Sequence, residues 1–224
     1  MSGAPTEGGQ SVKGNTVADQ KELWNRIHGE GGIGEYGIRP SDFALKVAPR
    51  LEGSVRLLEL GCGAGGDAVY FAEQGHMVTA TDFSQIAIER AAAKPSDVDF
   101  QVLDIGEEFP FADGSFDIVY ANLSLHYAND AGTRAIFGRI AQVLADDGRL
   151  LFRCKSIYSE FEKMDATEIA PNVWDKRGHV RHLFSTDYVE DVTNGLFRLV
   201  CNEYTTGGAY GYESYFVEAE AVKR

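Results

Sequence analysis

The sequence predicts an α/β fold built on a mainly parallel sheet, and three observations carry that expectation. Short apolar runs alternate with helix-length segments through the middle of the chain, a glycine cluster follows the first run, and the last two runs succeed each other with no helix between them. Strands separated by helices of that length imply right-handed crossovers and a sheet covered on both faces, so binding is expected at the carboxyl ends of the strands.

The elements follow in order. VRLLEL (55–60) is rich in strand formers and stops at Gly61, as a strand buried on both faces would. Residues 65–74 read as a helix that offers Val69, Phe71 and Ala72 to the sheet and stops at Gly75. HMVTATD (76–82) returns to strand. Ser84 can cap a second helix, SQIAIERAAAK, which Pro95 ends. VDFQVLD (98–104) and SFDIVYANL (115–123) are strands, and AGTRAIFGRIAQVLA (131–145) is a helix with Ile136, Ile140, Val143 and Leu144 on one side. GRLLFRCKS (148–156) is a strand, and Ser185 caps a further helix. FRLVCNEYTTGG and YESYFVEAEAVKR, joined by a Gly-rich turn, read as an antiparallel terminal hairpin.

Composition narrows the function. A chain of 224 residues with 44% hydrophobic content supports one core-bearing domain. A formal charge of -13 repels polyphosphate, which disfavours nucleic acid and leaves a small molecule as the expected partner. The three cysteines Cys62, Cys154 and Cys201 are far apart and form no C-x-x-C, so neither a disulfide framework nor a zinc site is expected, and a reducing, cytoplasmic setting fits. The polar start, 1–18, carries no apolar segment and is expected to be a disordered tail rather than a signal peptide or membrane anchor.

The glycine cluster in ELGCGAGGDAVYF supports two cofactors. Gly61, Gly63 and Gly66 fit the G-x-G-x-x-G turn of nicotinamide-binding folds, whereas Gly61, Gly63 and Gly65 behind Glu59 fit a methyl-donor site. A short-chain dehydrogenase or epimerase would want Tyr-x-x-x-Lys to move a proton, and none of the 10 tyrosines has lysine four places on; Tyr158 is followed by Glu162.

ELGCGAGG, the acid Asp82 that closes the next strand, the D-x-x-x-x-F-P-F-x-x-x-S-F-D block from Asp104 to Asp117, and the final hairpin together resemble the class I S-adenosylmethionine-dependent methyltransferases, in particular their small-molecule branch, from about Trp24 to the C-terminus. The resemblance implies a Rossmann-like fold: a seven-stranded, mainly parallel sheet with an antiparallel C-terminal hairpin strand and helices on both faces. It also implies S-adenosylmethionine as cofactor and S-adenosylhomocysteine as product. Backbone must pass close to the cofactor at Gly61, Gly63 and Gly65, where a Cβ would intrude, and Cys62 belongs to the same loop. In the family, the acid at the Glu59 position lies near the cationic amino group of the methionine moiety. Asp82 delivers two acceptor oxygens to the ribose diol, and Phe83 lies against the adenine. Asp104 accepts from the adenine amino group with Ile105 giving backbone contact, and Ala121 and Asn122 line the end of the fourth strand.

The substrate side is read from less regular stretches. His126, in ANLSLHY, is the candidate general base for an oxygen or amine acceptor, with Tyr127 beside it. The segment 19–52 resembles the family's N-terminal lid, with Trp24, His28, Tyr36 and Phe43 as ring-bearing candidates, Phe43 better explained as a pin between helix and sheet. Residues 156–184 are the expected substrate cap; Lys176, Arg177, His179, Arg181 and His182 crowd there, and Arg177 and Arg181 are candidates to receive a carboxylate or phosphate of the substrate, against a plain solvated charged strip. No His and Asp cluster has metal-ligand spacing, so no metal is expected. The expectation is one domain over 19–224, monomeric or homodimeric, that methylates an oxygen or nitrogen of a small molecule. Methylation of protein or RNA, and a non-catalytic cofactor-binding relative, are the alternatives.

Overall fold

The computed structural model describes Glu22, 24–26, Gly29, 38–209 and 212–224. The expected tail 1–18 and the candidates His28 and Tyr36 lie outside the described residues. The elements run α1 (Asp42–Val47), β1 (Arg56–Leu60), α2 (Gly66–Glu73), β2 (Met77–Asp82), α3 (Gln85–Ala92), β3 (Val98–Val102), β4 (Phe116–Asn122), α4 (Asp130–Val143), β5 (Leu144–Lys155), α5 (Glu160–Lys163), β6 (Thr167–Ala170), β7 (Val173–Lys176), β8 (His179–His182), α6 (Thr186–Thr193), β9 (Phe197–Ala209) and β10 (Tyr212–Lys223).

Seven strands form one sheet in the order β3-β2-β1-β4-β5-β10-β9, with β1 to β5 parallel and β10 antiparallel to both β5 and β9. This is the expected Rossmann-like arrangement, and strand order reverses between β1 and β4, which opens a crevice at their carboxyl ends. One face packs α1, α2 and α3 through Phe43, Val47, Ala68, Phe71 and Ile88. The other packs α4 and α6 through Ile136, Phe137, Ile140, Val189 and Val192. Each buried Phe, Val or Ile among them contributes about 1.5–3 kcal/mol. Phe43 stacks on Tyr120 with centroids 5.3 Å apart, and Phe71 meets Tyr120 edge-on at 4.9 Å, so Phe43 does pin its helix to the sheet.

Three local expectations change. Ala68 and Phe71, rather than Val69, carry the buried face of α2. The helix expected to reach residue 145 ends at Val143, because Leu144 is captured by pairing with Phe116; Asp147 then takes φ 58° before Arg149 pairs with Ile118. The segment 156–184, expected as a cap with no strands assigned to it, contains a separate antiparallel sheet, β6-β7-β8. Its strands are four residues each, too short to display period-2 alternation, and the β7–β8 turn uses Arg177 and Gly178, both at positive φ, in place of the Asn-Gly pair that would have signalled it.

Candidate functional site

The crevice begins where β1 ends. Gly61 takes φ +79°, and a Cβ there would lie 2.4 Å from the Cβ of Ser124, so glycine is required both by conformation and by the neighbouring β4 exit. Ser124 donates to the carbonyl of Leu60 at 2.5 Å, which locks the two strand exits together. The N–H groups of Gly61 and Cys62 donate to the Thr81 carbonyl at 2.7 and 2.8 Å, tying the loop to β2. Gly65, at φ +78°, opens α2, and a Cβ there would press on Ala91 and the Phe100 ring at 3.0 Å. Burial, then Glu59 and Asp82, push the Cys62 thiol well up, so it is an inert packing group.

Three acids face this loop. Glu59 is 3% exposed, and its Oε2 has no hydrogen-bond partner among the described residues. Burial first, then Asp67 and Asp82, raise its pKa well above the usual carboxylate range. Asp82 accepts from the Gly63 N–H at 2.9 Å and, through its other oxygen, from the Ser84 N–H at 2.9 Å. Asp67, in the first turn of α2, accepts from the Ser41 N–H at 2.6 Å, the Ser41 hydroxyl at 2.8 Å, the Tyr120 hydroxyl at 2.8 Å and Asn122 Nδ2 at 3.2 Å. Asn122 Oδ1 accepts in turn from Arg153 Nε at 3.0 Å.

The remaining cofactor candidates spread along the same edge. Phe83 is half-buried after β2. β3 stops at Val102, so Asp104 lies beyond it, where one oxygen accepts from the Gly106 N–H at 2.9 Å and caps the turn. Ile105 is partly buried and packs against the same core cluster as α4 and α6. Ala121 is fully buried in that core, which leaves only its backbone facing the strand end.

On the other side of the β4 exit, His126 sits in a 3-10 turn, Leu125–Tyr127, 1% exposed, with Nδ1 unpartnered among the described residues. Burial, then Arg181, Lys155 and His182, hold its pKa well below the usual imidazole range, so the ring is neutral at pH 7. Its ring is 4.5 Å from that of Tyr127, which meets Trp24 edge-on at 5.3 Å; Trp24 meets His179 edge-on at 5.9 Å, and Arg181 lies over Tyr127 at 5.7 Å. The structure thus brings Trp24, His126, Tyr127 and Arg181 together. It places Arg177 apart, exposed at the tip of the β7–β8 turn. The N-terminal segment also reaches the cofactor side, since Asn25 Oδ1 accepts from the Ser84 hydroxyl at 2.7 Å and the Gly29 carbonyl accepts from Arg90 at 3.0 Å.

Sequence reasoning missed Lys155, Glu162 and Asp67. Glu162 on α5 pairs with Lys155 at 3.4 Å and Arg181 at 2.7 Å, and Lys155 donates to Ser214 at 2.8 Å, a buried charged cluster beneath the small sheet. An acid in a helix's first turn, such as Asp67, is indistinguishable in sequence from one that merely complements the helix dipole. Among the described residues no group of His, Cys, Asp or Glu could hold a metal ion, and no helix is long and apolar enough to cross a membrane.

An S-adenosyl sulfonium with its α-ammonium fits this site. An orphaned, buried carboxylate oxygen calls for a cation.

Residues 57–148 match the family model described as a methyltransferase domain. The 27-O-demethylrifamycin SV methyltransferase of Amycolatopsis mediterranei is 32% identical over 142 residues, 58% of this chain and 51% of that protein. The chain spans about half or less of the length of the curated relatives it matches most strongly. Among solved structures, the Burkholderia thailandensis 1,6-didemethyltoxoflavin-N1-methyltransferase, with bound 1,6-didemethyltoxoflavin and S-adenosylhomocysteine, superposes with a TM-score of 0.73 at 18% identity, covering 98% of this chain and 94% of that one. The [4+2]-cyclase SpnF superposes nearly as well, with a TM-score of 0.72 at 18% identity over 93% of this chain and 96% of that one, so the fold by itself does not select methyl transfer.

Proposed function

We propose that the chain is a class I S-adenosylmethionine-dependent methyltransferase, a reading supported by the match of residues 57–148 to the methyltransferase-domain model, and that it transfers a methyl group to an oxygen or nitrogen of a small molecule by in-line displacement. The observation that carries the cofactor half of this reading is Glu59, whose buried, unpartnered oxygen at the mouth of the glycine loop matches the ammonium of the methionine moiety. The bound cofactor would supply an activated methyl on a sulfonium, whose leaving group is already excellent. The protein's share is then to hold the acceptor in line and to exclude water.

In this reading Gly61, Gly63 and Gly65 give close backbone approach, and Asp82 fixes the loop through Gly63 while facing the ribose. Asp104, Ile105 and Phe83 border the adenine. The N-terminal segment acts as a lid, joined to the cofactor side by Asn25 and to the acceptor side by Trp24. Residues 156–184 act as the cap. His126, neutral and beside Tyr127, takes the acceptor's proton at a ring nitrogen. Arg181 faces the acceptor's polar or anionic group, a role its position over Tyr127 supports and that the exposed Arg177 does not share.

The test is to incubate the protein with methyl-labelled S-adenosylmethionine and an extract of its own cells, then separate the label by size. Label in the low-mass fraction supports the reading and supplies the product for identification. Label in protein or RNA overturns the small-molecule half. Hydride exchange between NADH and a carbonyl would overturn the cofactor half.

A further inference from the structure

Four chain segments meet at the crevice opposite His126, and a closed circuit of hydrogen bonds links them. Ser41 donates to Asp67 from its backbone N–H and its hydroxyl; Asp67 accepts from Asn122 Nδ2; Asn122 Oδ1 accepts from Arg153 Nε; and Arg153 Nη1 reaches Asp42 Oδ1 at 2.7 Å. Asp42 is bonded covalently to Ser41, so the circuit closes through one peptide unit. It joins the start of α1, the first turn of α2 behind the glycine loop, the end of β4 and the end of β5.

The central carboxylate has a distinct character. With Tyr120 it receives four donors, 2.6 to 3.2 Å away. Three of the donors converge on Oδ2 and the Ser41 N–H takes Oδ1, so both carboxylate oxygens of Asp67 are engaged by protein. Glu59, its neighbour on β1, is the opposite case, with an oxygen left unpartnered. Asn122 is held at both ends of its carboxamide, which fixes its flip as well as its rotamer. Arg153, 3% exposed in its side chain, lies over the rings of Phe43 and Phe216 at 5.3 and 4.5 Å, so the guanidinium has little freedom.

We propose that Asp67 is a positioning residue for cofactor binding: through Asn122 and Ser41 it sets the separation between the glycine loop and the β4 exit and fastens the root of the N-terminal lid to that loop. The inference rests on the methyltransferase reading for the identity of the ligand. An amide in place of the carboxylate keeps the size but must turn its NH2 group toward the Ser41 N–H at one oxygen position or the three donors at the other, so the circuit loses at least one of its bonds to Ser41 while the hydrophobic contacts of α2 remain.

The experiment uses the full chain and S-adenosylhomocysteine, titrated calorimetrically into the wild type, Asp67→Asn and Ser41→Ala, each at a temperature well below its own melting transition. Hydrogen exchange is followed over 42–47 and over β1. Asp67→Asn is expected to weaken S-adenosylhomocysteine by about tenfold and to deprotect 42–47 while β1 stays protected. Ser41→Ala is expected to act in the same direction by about threefold, and it carries the test alone if Asp67→Asn does not fold. A residue that serves only stability would lower the melting temperature and leave the affinity of the folded protein untouched; affinities within twofold of wild type in the folded variants overturn the inference. Failure of the wild type itself to bind S-adenosylhomocysteine would instead overturn the cofactor reading.

Discussion

Gly61→Ala isolates the geometry of the crevice. The new Cβ carries two separate costs. Holding a non-glycine residue at φ +79° costs about 1–2 kcal/mol. A Cβ 2.4 Å from the Ser124 Cβ cannot be accommodated without moving one strand exit, and overpacking of that kind costs about 1–3 kcal/mol. Together they amount to about 2–5 kcal/mol, which in a chain of this length lowers Tm by about 4–20 °C. The two costs separate through Ser124. Ser124→Gly removes the clashing carbon and should recover the overpacking part in the Gly61→Ala background, leaving the backbone part. Ser124→Ala keeps that carbon and should recover nothing, although both variants lose the same hydrogen bond to the Leu60 carbonyl. Thermal melts of the two cycles read the difference. The reasoning is refuted if Gly61→Ala melts within about one degree of wild type, or if alanine at 124 rescues it as well as glycine.

Three further outcomes follow from the charged groups. Glu59 has a folded-state pKa raised by burial, so the ligand-free fold binds its proton more tightly than the unfolded chain; this group's penalty on stability is absent below the unfolded value and grows as pH rises toward the folded one. Accordingly, S-adenosylhomocysteine affinity should fall on acidification through that raised pKa, and Glu59→Gln should abolish this pH dependence; calorimetry at several pH values checks it, and an unchanged slope in the variant excludes Glu59 as the ammonium partner. Glu162→Ala strands Lys155 beneath the small sheet and should cost about 3–5 kcal/mol, whereas Glu162→Leu combined with Lys155→Met should cost less than the single change; equal melting temperatures for Glu162→Ala and wild type would contradict this. His126 has its pKa depressed by burial, so the unfolded chain binds more protons below about pH 6.5 and stability is lost as pH falls from there toward the folded pKa. His126→Gln should remove that slope in denaturant titrations, and His126→Ala should reduce turnover by about 100-fold or more with cofactor affinity kept if the ring is the base.

The sequence by itself determined the main sheet, the glycine loop and two of the acids that border it, Glu59 and Asp82. The presence and order of β1 to β5 are read from the sequence, though not the ends of β3 and β5, because long apolar runs and helix caps such as Ser84 and Ser185 are local signals: Ser84 accepts from the Ala87 N–H and Ser185 from the Tyr188 N–H, three residues on, as their positions imply. Gly61 and Asp82 are legible for the same reason, since each sits at a strand end that the pattern marks. Only the tertiary structure decided the rest. The small sheet β6-β7-β8 has strands too short for periodicity, and it is tied to the main sheet where Glu162 meets Lys155 and Arg181, residues 7 and 19 positions away in the chain. The circuit through Ser41, Asp67, Asn122 and Arg153 joins residues up to 112 positions apart, and although Asn122 is a candidate by itself, no spacing links it to the other three. A hydrogen bond depends on where two atoms lie in space, and that distance is fixed by the crossovers of the sheet rather than by any spacing along the chain.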